Sequence, residues 1–211
     1  MRKQPKQLRS QLLVKKLIDA TGRIVLERGV EFTTTNHIAE EAGVDIASLY
    51  QYFTNKDDLI AALMEDIIDQ ILKQVTNYIA SIDMRTIEPE PLIRAVLLLG
   101  INMVRANPVI TQLARQSQHL AVNRSMGRLE RYAQQLATMY FTQQFSRFPI
   151  ENLHLRLYIV SISVFATIGR HVSEQSPVSS DGELVEALVE MVMPFFEKGK
   201  QAVESRPASP V

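Results

Sequence analysis

The sequence contains no cysteine, which excludes a disulfide framework and any thiolate metal site. It carries no net charge, with 23 lysines and arginines against 23 aspartates and glutamates. The overall basic excess that commonly accompanies phosphate binding is therefore missing. Long apolar runs are missing too. The greasiest stretch, LYIVSISVFATIG from Leu157 to Gly169, lies between Arg156 and Arg170 and is expected to be too short to cross a bilayer. The start, MRKQPKQLRSQLLVKK, is basic without the continuous apolar segment of a secretory signal. A cytoplasmic protein with no membrane partner is the expectation. His37, His119, His154 and His171 show no metal-ligand spacing. Neither a glycine-rich phosphate loop nor a nucleophile elbow occurs, so no metal, cofactor or enzymatic chemistry is expected.

What is present is hydrophobic and helical. Apolar residues make up 46% of 211 positions, enough for one large or two small domains. The charge is unevenly spread, because Arg2, Lys3, Lys6, Arg9, Lys15 and Lys16 all precede the first acidic residue, Asp19. That leading arm could track phosphates or reach a minor groove, or be an ordinary solvated terminus. From Arg9, the positions Leu13, Leu17, Ala20, Ile24 and Val25 follow an amphipathic helix that Gly29 ends in a left-handed cap. Gly22 should weaken it slightly. Further helical patterns recur at 56–79, 92–106, 108–118, 124–146, 152–174 and 181–200, where Pro194 is expected to kink the last helix. No strand pattern is convincing. The fold class expected is all-α.

The stretch IAEEAGVDIASLYQYF, residues 38–53, is the most informative. Ile38, Ala39, Ala42, Val44, Leu49 and Tyr52 reach one apolar seam if two short helices pack across a tight turn at Gly43. Thr33 and Thr34 supply capping hydroxyls before the first of these helices and Asp45 caps the second. A helix-turn-helix of this kind projects the start of its second helix outward, where it can enter a major groove. Ile46, Ala47, Ser48, Tyr50 and Gln51 are not all needed for packing and form the candidate DNA surface. Asn55 caps the next helix, with Asp57 and Asp58 complementing its dipole.

The segment TTTNHIAEEAGVDIASLYQYFTNKDDLIAAL, preceded by LIDATGRIVLERG, resembles the DNA-binding signature of the TetR family of bacterial transcriptional regulators over residues 17–63. The resemblance implies that Thr34, Thr35 and Asn36 begin the supporting helix near the DNA backbone, while Ile46, Ala47, Ser48 and Gln51 face the groove. Tyr50, Tyr52 and Lys56 match the family's usual phosphate-contacting positions. Phenolic hydroxyls, short hydroxyls and an ammonium are normal phosphate partners, although Tyr52 also suits core filling. Ile46 departs from a position that is often polar or basic. Asp45 departs from the common serine cap and adds negative charge near phosphate.

The domains implied are a DNA-binding helix-turn-helix domain with its basic arm at 1–55, a larger helical effector-binding and dimerisation domain at 56–204, and a disordered tail at 205–211. The implied function is a repressor released from a palindromic double-stranded operator by a small-molecule effector. The alternatives are a DNA-binding scaffold or regulator without an effector and, ranked behind it, a helical enzyme. Met103, Tyr132, Met139, Tyr140, Phe141, Phe145, Tyr158 and Phe165 suit either pocket walls or ordinary core. It is the resemblance that makes Met103, Tyr132, Tyr140, Phe141 and Phe165 candidate ligand contacts. The last two helices are apolar on more than one face, which fits either an internal bundle core or a homodimer built through both of them.

Overall fold

The computed structural model describes residues 7–115, 120–144, 150–173 and 179–204. The basic positions Arg2, Lys3 and Lys6, the aromatic Phe145 and the tail expected at 205–211 lie outside these residues. Among the described residues there is no strand. The helices are α1 (Leu8–Arg28), α2 (Thr35–Ala42), α3 (Ile46–Tyr52), α4 (Lys56–Ala80), α5 (Pro89–Arg105), α6 (Pro108–Arg115), α7 (Leu120–Gln143), α8 (Leu153–Ser173) and α9 (Asp181–Glu204). An amino-terminal helix-turn-helix is thus followed by a larger helical region.

Several boundaries differ from expectation for local reasons. Helix α5 starts at Pro89 rather than near Leu92, because a proline in the first turn gives up an amide that has no partner there in any case. Arg9 lies inside α1 rather than ahead of it, since the helix already begins at Leu8. Gly29 takes φ 78° but ψ 164°. It therefore closes α1 in an extended, glycine-favouring conformation and not in the left-handed helical cap expected. Helix α9 continues through Pro194.

The chain divides into two compact units, Met1–Ile71 with Val104–Arg128, and Leu72–Met103 with Leu129–Val211. The first unit is larger than the expected 1–55 domain. It takes in the start of α4, where Leu59, Ile60, Leu63 and Met64 are buried, and it takes in α6, which packs on α1. Its centre is the inner stripe of α1, with Leu17, Ala20, Ile24 and Val25 buried. Gly22 is also buried on this helix. A Cβ there would stand 3.5 Å from a Leu63 methyl and 3.9 Å from a Val109 methyl, so Leu63 of α4 and Val109 of α6 pack over it.

The second unit is held by a few polar ties around an aromatic cluster. Phe141 stacks on Phe196 with centroids 4.4 Å apart and meets Tyr140 edge to face at 5.1 Å. The Tyr140 hydroxyl donates to the Ile87 carbonyl at 2.7 Å, and the Gln144 amide to the Met84 carbonyl at 2.7 Å. His171 and Asp181 join the end of α8 to the start of α9 at 2.7 Å. Among the described residues, α8 is the one helix long and apolar enough to cross a membrane by length and composition. The helix reaches that length by taking in flanking residues, Arg156 and Arg170 among them, at both ends of the run 157–169.

A Cβ at 3.5 Å is in ordinary contact, and alanine is the better helix former. Gly22→Ala is therefore expected to raise stability by roughly 0.5 to 1 kcal/mol in urea unfolding. Gly43→Ala, at φ 61°, is expected to lower it by roughly 1 to 2 kcal/mol. Equal effects of the two substitutions would contradict this assignment.

Candidate nucleic-acid interface

The helix-turn-helix is built from local hydrogen bonds as well as from its seam. Thr34 caps α2 by accepting from the His37 amide at 3.2 Å. Thr33, buried beside it, spends its hydroxyl on the Gly29 carbonyl at 2.7 Å. Gly43 turns the chain with φ 61° and ψ 37°, a left-handed conformation that costs glycine little. Asp45 then caps α3, its Oδ2 accepting from the Ala47 amide at 3.0 Å and the Ser48 amide at 3.3 Å. Ile38, Ala39, Leu49 and Tyr52 are buried between the helices, whereas Ala42 and Val44 are only partly so.

Sequence candidates fall into three groups. Thr34, Asn36, Ala47, Tyr50 and Gln51 are exposed, and Thr35, Ile46 and Ser48 are partly exposed. Within the first two groups, the Thr35 hydroxyl on α2 meets the Tyr50 hydroxyl on α3 at 3.0 Å. One of the two protons is spent between these hydroxyls, and the other is left to donate to a phosphate oxygen, which only accepts. Tyr52 is different. It is 9% exposed, so its ring fills the seam, in line with the core-filling reading of this position.

Lys56 is also more committed than its sequence position suggests. Its ammonium donates to the carbonyls of Val30 at 3.1 Å and Glu31 at 3.4 Å. It thereby ties the first turn of α4 to the turn between α1 and α2. That turn of α4 is capped reciprocally: Asn55 Oδ1 accepts from the Asp58 amide at 2.9 Å, and Asp58 Oδ2 from the Thr54 amide at 2.9 Å. The Thr54 amide holds the Asp58 carboxyl below its ordinary range. The bond contributes while the carboxylate is ionised and is lost as pH falls through that lowered value. Lys15 is not free for phosphate either, since it pairs with Asp19 at 2.9 Å and Asp66 at 3.0 Å.

Of the expected ligand contacts, Tyr140 and Phe141 are buried in the aromatic cluster. Tyr132 gives its hydroxyl to Thr76, while Met103 and Phe165 are partly exposed. Two shallow clefts are lined by other side chains, one by Glu90, Pro91, Arg94, Ala95 and Leu98, the other by Ile82 to Arg85 with Gln143. Composition had drawn attention to the aromatic residues, and the hydrogen bonds that commit Tyr140 and Tyr132 depend on distant parts of the chain. Sequence reasoning also missed Arg128, more than two turns into α7. It pairs with Glu65 and with Asp69 at 2.7 Å, one turn apart on α4. Only the i, i+4 spacing of the two carboxylates hinted at a shared cation. No three potential ligands form a metal cluster among the described residues.

Residues 17–63 match the family model of bacterial regulatory proteins, tetR family. The chain is 34% identical over 94 residues to the transcriptional regulator PksA of Bacillus subtilis, covering 44% of each chain. It is 36% identical over 87 residues to the nucleoid occlusion factor SlmA of Haemophilus influenzae, covering 41% of this chain and 38% of SlmA. The chain thus spans less than half the length of these relatives. Its fold is similar to that of the transcriptional regulator FadR of Bacillus subtilis, solved with stearoyl-CoA, at a TM-score of 0.64 and 16% identity over 86% of this chain and 98% of that one.

Lys56 and Tyr50 should separate in experiment. Lys56→Ala strands two carbonyls and is expected to cost about 1 kcal/mol of stability, as well as weakening duplex binding. Tyr50→Phe, at an exposed hydroxyl, should leave Tm unchanged while lowering affinity for every duplex by up to about tenfold. A Tyr50→Phe protein with unaltered affinity would remove the hydroxyl pair from the interface.

Proposed function

We propose that this chain, with its tetR-family domain at residues 17–63, is a DNA-binding transcriptional regulator that works as a homodimer in the bacterial cytoplasm, a repressor released from a palindromic operator by a small molecule. The observation that carries the reading is the surface shared by α2 and α3. Asp45 fixes the start of α3, and the Thr35 and Tyr50 hydroxyls converge beside it at 3.0 Å. In this reading Thr34, Thr35, Asn36 and Tyr50 hold phosphates, with Lys56 adding positive charge. Ile46, Ala47, Ser48 and Gln51 read base edges, Ile46 by apolar contact with a thymine methyl group. Tyr52 supports them from within. No residue is assigned a catalytic role.

Helix α8 supports the dimer. Leu155 and Tyr158 are 57% and 54% exposed, and Ile159 and Ile162 are 41% exposed each. At this spacing they form a stripe along one helix face. On α9, Ala187 and Met191 are exposed as well. A twin copy covering both helices would bury these side chains and give two recognition helices matched to twofold DNA.

Release follows from geometry. The recognition helices of such a dimer must sit about 34 Å apart to enter successive major grooves. Helix α4 begins at Lys56, beside the reading helices, and passes without a break from the first compact unit into the second. A ligand that prefers a displaced α4 would misplace the recognition helices, and linkage requires operator DNA to weaken that ligand's binding by the same factor. A second reading, an effector-independent DNA-binding factor, draws on the likeness to SlmA. Mutual independence of ligand and operator would favour it.

Titration of the duplex flanking the chain's own gene should give nanomolar or tighter affinity, at least about a thousandfold above scrambled DNA. Ser48→Ala should change base preference. Ile162→Arg should give monomers in sedimentation and lose the gain of a full palindrome over a half-site. Equal binding of flanking and scrambled duplexes by the unmodified protein would sink the proposal.

A further inference from the structure

Resting on the regulator reading, we propose that the effector is an organic cation, an amine on an apolar body, held by Glu130 where α7 faces α8. Glu130 is partly buried. Gln134, one turn further along α7, places its amide nitrogen 2.5 Å from the Ser161 hydroxyl on α8 and 3.4 Å from Glu130 Oε1. The Ser161 oxygen lies 3.4 Å from the same Oε1 and 3.1 Å from the Tyr158 carbonyl. Ser161 itself is 8% exposed.

Counting donors leaves the carboxylate short. A serine hydroxyl has one proton, and the nearer acceptor for it is the Tyr158 carbonyl. The Gln134 amide has two N–H donors, one given to Ser161 at 2.5 Å, which leaves Glu130 a single neutral donor at 3.4 Å. Charged acceptors normally draw N–H donors to 2.7–2.9 Å, yet both contacts to Glu130 are long, neutral and made to one of its two oxygens. Among the described residues no cation pairs with Glu130. Elsewhere in the molecule Glu65 and Asp69 share Arg128, and Glu90 and Glu186 share Arg94. A carboxylate half withdrawn from water and unneutralised gains most from an incoming cation.

The surroundings suit an ammonium with a greasy body. Ala133 and Ala137 share the Glu130 face of α7 by helical spacing, present only methyl groups and are themselves partly exposed. Phe165, one turn beyond Ser161 on α8, is also partly exposed, and an aromatic ring favours a neighbouring cation. An anionic head would instead meet like charge.

Three probes with one apolar body decide the matter: phenylbutylamine, phenylbutanol and phenylbutyrate, titrated calorimetrically against the full chain and against the protein–operator complex. The amine is expected to bind at least about tenfold tighter than the alcohol, with the carboxylate weakest, and to release the operator. Glu130→Gln should reduce the amine to the level of the alcohol without lowering Tm. An amine that binds no better than the alcohol, or a Glu130→Gln protein that keeps the preference, overturns the proposal. Release by the alcohol or carboxylate alone overturns the cation while sparing the regulator reading. Amine binding that needs Glu130 but leaves operator affinity unchanged upholds the site and defeats the regulator reading instead.

Discussion

Everything at the amino-terminal surface depends on the crossing of α2 and α3 at a single left-handed turn. Gly43 permits that turn, and Ile38 and Leu49, both fully buried, close the crossing from either side. Each such side chain contributes roughly 1.5 to 3 kcal/mol on leaving water, so the seam outweighs the caps around it. The caps set direction rather than cohesion. Asp45 fixes where α3 begins, and therefore which of its residues point outward. The meeting of Thr35 with Tyr50 is a consequence of that register, since neither hydroxyl is near the other in sequence.

The seam is stable only because α1 supports it. Helix α1 contacts both α2 and α3, and its inner stripe is buried along its length. Leu63 of α4 and Val109 of α6 pack over Gly22 on the same helix. Lys56 and the reciprocal cap at Asn55 and Asp58 then fix the first turn of α4 to this framework. The reading surface and the start of α4 are thereby parts of one compact unit, and a displacement of that turn cannot leave the recognition helix where it was. In the regulator reading proposed above, this physical link is the route by which a change in α4 would alter DNA affinity.

The helix-turn-helix was legible because its determinants are local. Gly43, Asp45, Thr34 and Asn55 act within four residues of the groups they cap or turn, and periodicity alone revealed the buried stripe of α1. Tyr52 was harder, as a tyrosine suits a seam and a phosphate equally well until the depth of the position is known. Lys56, Lys15 and Arg128 were not legible. Asp19 lies one turn from Lys15, but Val30 is 26 residues from Lys56, Asp66 is 51 from Lys15 and the partners of Arg128 are 59 to 63 away, and only tertiary structure brings these together. The packing of Tyr140, Phe141 and Phe196 against one another was hidden for a related reason, because composition cannot tell an aromatic cluster from the wall of an opening. Gly22 was legible as a weakness in α1, and the room for a Cβ at ordinary contact distance from Leu63 and Val109 agrees with that reading.

The central claim is that the outward face of α3 reads DNA in a twofold arrangement. Selection of bound molecules from a randomised duplex pool tests it with neither the operator nor the effector identified beforehand. The account predicts enrichment of a near-palindrome whose half-site centres lie about 10 to 10.5 base pairs apart or at a multiple of that spacing, with the enriched bases changing when Ser48 or Gln51 is substituted. A pool that stays random after repeated selection, or a consensus indifferent to those two residues, would contradict it.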